Sequence, residues 1–350
     1  MHDRPRCEWI AQNFRARSCC RVLQSDLDDS STGAAILMVR SRHKEFSLRR
    51  ILGIGELLWD VLPSGQQLGG APANYSVMSG RLGNHATILS RIGRDDLAQQ
   101  TLGILRGYPV DVSLLQRDAQ HETGRVTVEL TDGQPSYVIH APAAWDFMEE
   151  TAAWMEAVQQ ADALCFGSLG QRHAVSRQTI NSLVQSAPAR CERIFDVNLR
   201  DPYFSAEILR TSIELASVVK MNDLEVPRVL GLIGLVVQNS ADALRAGSEA
   251  MLEHFPGLRL VAVTCGGEGS LLVSRNDWHR HPGVPTQVAD TIGAGDAFTA
   301  AMTHYLLQAA PLKTLNEAGN RWGSYIASQA GAMPAISQET IARLSSEIEG

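Results

Sequence analysis

The chain is expected to fold as an α/β protein on a mainly parallel sheet, and three features predict it. Apolar runs of strand length that end in polar residues, at 163–168, 193–200 and 218–225, are separated by helix-length stretches. That is the spacing of parallel strands joined by right-handed crossovers. The stretch Asp290-Thr291-Ile292-Gly293-Ala294-Gly295-Asp296 then runs into a helical stripe of Phe298, Ala301, Met302, Tyr305 and Leu306, spaced three and four apart as on one buried helix face. Finally, 350 residues with 44% hydrophobic and 20% charged content suit one large well-packed domain or two ordinary ones.

Residues 1–48 stand apart, with no convincing periodicity. Their arginines, Arg4, Arg6, Arg15, Arg17 and Arg21, suit an organelle transit peptide, whereas Asp26, Asp28 and Asp29 do not. A disordered extension or a translation start at Met38 is the expectation, with the folded domain spanning 49–350. The first fifty residues hold ten Lys/Arg and six Asp/Glu, so the remaining 21 basic and 32 acidic groups leave the body near −11. Such a surface repels nucleic acid. No apolar run reaches membrane-spanning length, and none is followed by a cleavage-like site. Cys7, Cys19, Cys20, Cys165, Cys191 and Cys265 show neither metal-ligand spacing nor a disulfide framework, which fits a cytoplasmic protein. Cys165 and Cys265 lie in apolar strand-like runs and are expected to pack in the core.

Taken in order, the folded part opens with an apolar run from Ile51 suited to a buried strand, which turns polar by Asp60. Gly69-Gly70-Ala71-Pro72-Ala73-Asn74 precedes a segment that reads as a helix stopping at Leu82-Gly83. The paired glycines allow either a close backbone approach or simply a turn. Ala86 to Gly93 is the next strand, and residues 123–140 alternate around an Asp132-Gly133 turn signal, so they read as a hairpin. Trp145 is expected in the core. The later strands carry polar residues at their ends, where sites collect in parallel sheets.

At the Gly293–Gly295 turn a helix begins, so unpaired backbone N–H groups and the positive dipole end favour an anion, and glycine lets a phosphate come close. Asp296 beside such a cradle repels an anion unless a metal or a reacting hydroxyl stands between them. The pattern therefore points to phosphoryl transfer. A tight turn with Asp296 capping the first helical turn is the plainer alternative.

The run Asp290-Thr291-x-Gly293-Ala294-Gly295-Asp296-Ala297-Phe298 resembles the C-terminal signature of the ribokinase-like sugar kinases, the phosphofructokinase B type family. Other matches follow in order over roughly residues 50–345: Gly55-Glu56 with Asp60, Gly69 to Asn74, Gly93-x-Asp95, Asp196-x-Asn198-x-Arg200, Asn222-x-x-Glu225 and Thr264-x-Gly266-x-x-Gly269-Ser270. The second and fourth of these are similar to the fructokinase-like members.

The resemblance implies a ribokinase-like three-layer sandwich with a mainly parallel central sheet and a small β lid, its strands drawn from about 57–68 and 121–140. It implies Asp296 as general base, with the backbone of Gly293, Ala294 and Gly295 as anion hole. Asp60, Gly69, Gly70 and Asn74 would face the sugar, and Asn198, Arg200, Asn222, Thr264, Gly266 and Gly269 the nucleotide. Glu225 would meet Mg2+ through water, while Asp290 and Thr291 occupy positions beside a monovalent cation in relatives. ATP and Mg2+ are the implied cofactors, and potassium is admitted. Residues 320–331 would flank adenine.

Kinases of the family that act on acidic keto-sugars commonly place an arginine near 137–146, and this chain has none there. A neutral sugar, fructose first, is thus the expected substrate. Ribokinase, nucleoside kinase or 2-keto-3-deoxygluconate kinase activity, and a catalytically silent relative used for binding or regulation, are the alternatives. The expected partners are the sugar and ATP, with neither nucleic acid nor membrane, and some relatives dimerise through the lid.

Overall fold

The computed structural model describes residues 48–62, 65–131, 134–236 and 242–350. The N-terminal extension with Met38, Cys7, Cys19 and Cys20, and the Asp132-Gly133 turn, lie outside the described residues.

The central sheet has eight strands. From one edge they are β14 (Trp278–His281), β13 (Ser270–Ser274), β12 (Leu260–Thr264), β11 (Val218–Asn222), β10 (Glu192–Asp196), β9 (Ala163–Gly167), β1 (Arg50–Ile54) and β4 (His85–Leu89). All pairings from β12 to β4 are parallel, and β13 and β14 are added antiparallel. Every residue of β9 is buried, which is why this strand is apolar throughout rather than alternating: helices cover both faces. Because β1 pairs with β4 on one side and β9 on the other, the strand order reverses there. A crevice opens at the carboxyl ends of strands beside such a reversal.

On one face α1 (Ala71–Arg81), α8 (Ala294–Leu306), α9 (Leu312–Ala327) and α10 (Gln338–Glu349) pack Tyr75, Phe298, Met302, Trp322 and Leu344 into a single core. On the other, α3 (Ala152–Gln160), α4 (Ala174–Ser186), α5 (Ala206–Leu215), α6 (Glu225–Ile233) and α7 (Ala243–His254) bury Trp154, Leu183, Leu209, Val229 and Met251 with Phe166 and Phe195. The result is an α/β three-layer sandwich, as the resemblance implied. A smaller core joins α2 (Asp96–Leu105), through Ala98 and Leu105, to Trp59 and Ile88.

A second sheet of four strands runs β3 (Gly65–Gly69), β2 (Leu58–Leu62), β7 (Gly124–Thr131), β8 (Gln134–Ile139). Its β2–β7 pairing is parallel and the outer two are antiparallel. In this register Asp60 lies across from Gln67 and Val126. The strand opened by Ile51 does not run on to Asp60: Gly55, at φ 144°, breaks it, and the chain crosses to the second sheet. The two short strands β5 (Arg91–Ile92) and β6 (Gln116–Arg117) pair separately.

Helix α8 is buried on more than the stripe read from its sequence. Thr299, Ala300 and Thr303 have no exposed surface, since α1 and α9 pack on it from two directions, whereas Leu306 is only half-buried. Cys165 is buried, but Cys265 falls past the end of β12 and is half-buried at the edge of the core. Trp145 is 1% exposed, with the Arg172 guanidinium 3.9 Å over its ring. Among the described residues no helix is long and apolar enough to cross a membrane.

Candidate active site

Two helices begin at glycines on the same side of the sheet. Helix α8 starts at Gly293, at φ 77° and without a side-chain cap. A Cβ there would stand 2.8 Å from Ala332 Cα, so only glycine fits the turn. Asp290 shapes the turn: one carboxylate oxygen accepts from Ile292 N at 3.0 Å and the other from Gly331 N at 3.1 Å. The Thr291 carbonyl accepts from Ala294 N at 3.3 Å. Helix α1 starts at Gly70, at φ 111° and also uncapped. There a Cβ would come within 2.4 Å of the Glu56 carbonyl, and one on Gly69 within 2.9 Å of Asp60 Oδ2. At Gly70 the chain passes too close to the backbone just beyond β1 to admit a side chain, whereas at Gly69 the neighbour is the Asp60 carboxylate.

The two helices meet through their side chains, as Asn74 Nδ2 donates to Asp296 Oδ2 at 2.8 Å. Burial pushes the Asp296 carboxyl up to about 6, and the negative Asp196 adds to this. The Asn74 hydrogen bond, Lys220 and Arg200 oppose the rise. Asn74 is 6% exposed and its Oδ1 has no partner. Glu56 is 3% exposed with Oε2 likewise unpartnered, and burial first, then the Asp296 charge, pushes it up to about 7. Orphaned buried acceptors are costly and call for a donor from outside the chain.

Asp60 is half-buried, its carboxyl raised by burial and eased by Arg200. Arg200 itself is exposed and, among the described residues, bonds the Leu199 carbonyl at 3.0 Å. Its charge nevertheless acts on Asp60, Glu56 and Asp296 together. Its charge is thus felt on the second sheet, past the end of β1 and at the start of α8. Just before it, Asn198 takes φ 39°, a left-handed conformation uncommon outside glycine and often found at functional turns.

Asn222 and Glu225 brace this loop. Asn222 Oδ1 accepts from Glu225 N at 2.9 Å, while Glu225 accepts from Asn222 N at 2.8 Å and Leu199 N at 2.7 Å. This reciprocal pair opens α6 and holds the residue before Arg200. Both Glu225 oxygens are already hydrogen-bonded. Among the described residues no group of three or more His, Cys, Asp or Glu is placed to hold a metal ion.

Thr264 ends β12, with Oγ1 3.5 Å from the Met221 carbonyl, and Gly266 is exposed at φ 55°. Gly269 is buried, and a Cβ on it would be 2.0 Å from the His281 carbonyl, so the packing of the hairpin itself requires a glycine there. The structure therefore brings Asp296 and Asn74 into contact, and the Arg200 charge reaches both Asp296 and Asp60. Glu56, Asp196 and Lys220, which the sequence reading assigned no role, also face Asp296. A lone lysine inside the apolar strand Val218–Asn222 was the signal available for Lys220.

Residues 61–339 match the family described as pfkB family carbohydrate kinase. Fructokinase of Escherichia coli is 28% identical over 309 residues, covering 81% of this chain and 94% of that protein. The structure of fructokinase from Xylella fastidiosa with bound ATP superposes with a TM-score of 0.73 at 23% identity, over 87% of this chain and all of that one. A double mutant of fructokinase from Vibrio cholerae O395, in a fructose, ADP and potassium ion bound form, gives 0.69 at 25% identity over 85% of this chain and 98% of that one.

Proposed function

The chain belongs to the pfkB family of carbohydrate kinases, and we propose that it transfers the terminal phosphoryl group of ATP to a hydroxyl of a neutral sugar, fructose first. The observation that carries this reading is the 2.8 Å contact of Asn74, at the start of α1, with Asp296, at the uncapped start of α8. A group suited to sugar hydroxyls and one suited to the reacting end of a phosphate share one point.

Asp296 takes the proton from the attacking hydroxyl. With its carboxyl pushed up to about 6, it is largely ionised at neutral pH yet more basic than an ordinary aspartate. A base so placed contributes about 10²–10⁴-fold. Asp60 accepts from sugar hydroxyls by charge-assisted bonds, and the free Asn74 Oδ1 takes another. The backbone N–H groups of Gly293, Ala294 and Gly295 stabilise charge developing on the phosphoryl oxygens. Arg200 adds a counter-charge, and Asn198, Asn222, Thr264 and Gly266 line the nucleotide side.

Magnesium arriving with the nucleotide supplies charge compensation, and Glu225, its oxygens engaged, suits contact through water. Asp290 and Thr291 are the residues for a potassium ion, by analogy with the Vibrio enzyme's potassium-bound form. The second sheet acts as a lid that keeps water from the transfer.

Preference for a neutral sugar is supported by Arg172. This cation near the segment 137–146 is held in a buried pair with Asp146 at 2.8 Å, the side chains 5% and 2% exposed, so its charge is already balanced within the protein. ATP consumption measured over fructose, ribose, adenosine and 2-keto-3-deoxygluconate tests the reading. Fructose is expected to turn over fastest. Preference for the keto-acid would reject a neutral substrate, and preference for ribose or adenosine would reject fructose.

A further inference from the structure

Two buried charges that take no part in the transfer lie directly under the glycine turn. Lys220, on β11, brings Nζ to 3.1 and 3.2 Å from the two carboxylate oxygens of Asp196, at the end of β10. Their side chains are 9% and 5% exposed. The Thr299 hydroxyl, one turn into α8, lies 3.0 Å from Asp196 Oδ2 and 2.9 Å from the Gly295 carbonyl. A Cβ on Gly295 would stand 2.9 Å from Lys220 Nζ. The ammonium therefore lies against the turn from the β11 side.

A buried ion pair is a weak source of stability, because desolvation offsets most of the attraction and apolar residues of the same volume often serve as well. We propose that Lys220 and Asp196 are positioning residues for Asp296: together they brace the first turn of α8 against the sheet and set the field in which the Asp296 carboxyl holds its proton. This rests on the reading of Asp296 as the base. The two members act in opposite directions, since the negative Asp196 favours the protonated carboxyl and the positive Lys220 the ionised one. Too little basicity makes a poor proton acceptor, and too much leaves the group protonated at working pH.

The other charged or titratable groups facing Asp296 are Glu56 after β1, Arg200 after β10 and Cys165 on β9. Burial pushes the Cys165 thiol far up, so it stays neutral. Asp196 and Lys220 are the two of these groups that also hold the turn in place.

The test reads the Asp296 carboxyl directly, by carbon-13 NMR titration of aspartate-labelled full-length protein, its resonance assigned by loss in Asp296→Asn. Asp196→Asn is expected to lower the titration midpoint and Lys220→Met to raise it, with the acidic limb of kcat/KM moving the same way in each. A midpoint that Asp196→Asn leaves in place, or that both variants move in one direction, overturns the proposal. If Lys220→Met fails to fold, Asp196→Asn decides alone, because its amide oxygen still accepts from Lys220 or Thr299. The midpoint is measured without turnover, so failure of this inference is distinct from failure of the base role, which Asp296→Asn kinetics read separately.

Discussion

Helices α3, α5 and α10 begin differently from α1 and α8. Thr151, Ser205 and Ser337 each turn a side-chain oxygen back onto a first-turn amide, so those helices satisfy their own orphan donors. Gly70 and Gly293 offer no such cap. What they have instead is a backbone pressed against Glu56 and Ala332, and a shared contact through Asn74 and Asp296. A missing cap is not enough to mark a site: α9 also begins without one, at Pro311, and simply packs on α8. The combination of a start without a side-chain cap, the carboxyl ends of the strands and unpartnered buried acceptors separates these two helix starts from an ordinary one.

That contrast breaks most sharply at Asp296. Asp296→Asn is expected to lower kcat by at least about a hundredfold while the protein stays folded, because Asn preserves an acceptor for Asn74. Near-normal turnover would remove Asp296 as the base. The same variant should melt higher than the parent above about pH 7, as it deletes a carboxylate whose ionisation the fold resists.

A different helix start is probed by Gly70→Ala. With φ at 111° and a Cβ only 2.4 Å from a carbonyl oxygen, it should cost about 1–3 kcal/mol in denaturant unfolding. A variant as stable as the parent would mean the entry to α1 can shift, and would weaken the account of the paired glycines.

Glu56 gives a pH-dependent case. Its folded pKa of about 7 lies above its ordinary value of 4.5, so its share of stability is fully present below about 4.5 and is lost as pH rises through about 7. Glu56→Gln cannot ionise and should narrow the drop in melting temperature between about pH 5 and about pH 8. An unchanged drop would show that Glu56 is paired or hydrated in solution.

The smallest effect belongs to the capped class. Ser205→Ala should lose about 1 kcal/mol of stability and leave turnover unaltered. A fall in turnover would mean that α5 reaches the site through contacts not accounted for above.

Much of this was legible without coordinates. Strand and helix spacing and the glycine turns are read from local period and residue type, and the resemblance adds the sugar-side place of Asn74 and the base role of Asp296. Those signals are local because glycine is required by the backbone's own path and one buried helix face repeats within a few residues. Other features were ambiguous or silent. Asn222-x-x-Glu225 read equally as a cation motif and a helix start, and only the three amide contacts made by the pair decide that both side chains are occupied by backbone. For Gly269 the sequence offered only the resemblance, and the crossing of His281 and Gly283 above it adds a packing reason for a glycine at that position.

By itself, then, the sequence determined the layered α/β architecture, the place of the glycine turn and the identity of the acid beside it, because each is written within a few consecutive residues. The tertiary structure alone decided that Glu56 is buried with its Oε2 unpartnered, that the Arg200 charge is felt by Asp60, Glu56 and Asp296, and that Lys220 meets Asp196 beneath the turn. Burial and charge pairing depend on neighbours contributed by distant strands, and no local period records who those neighbours are.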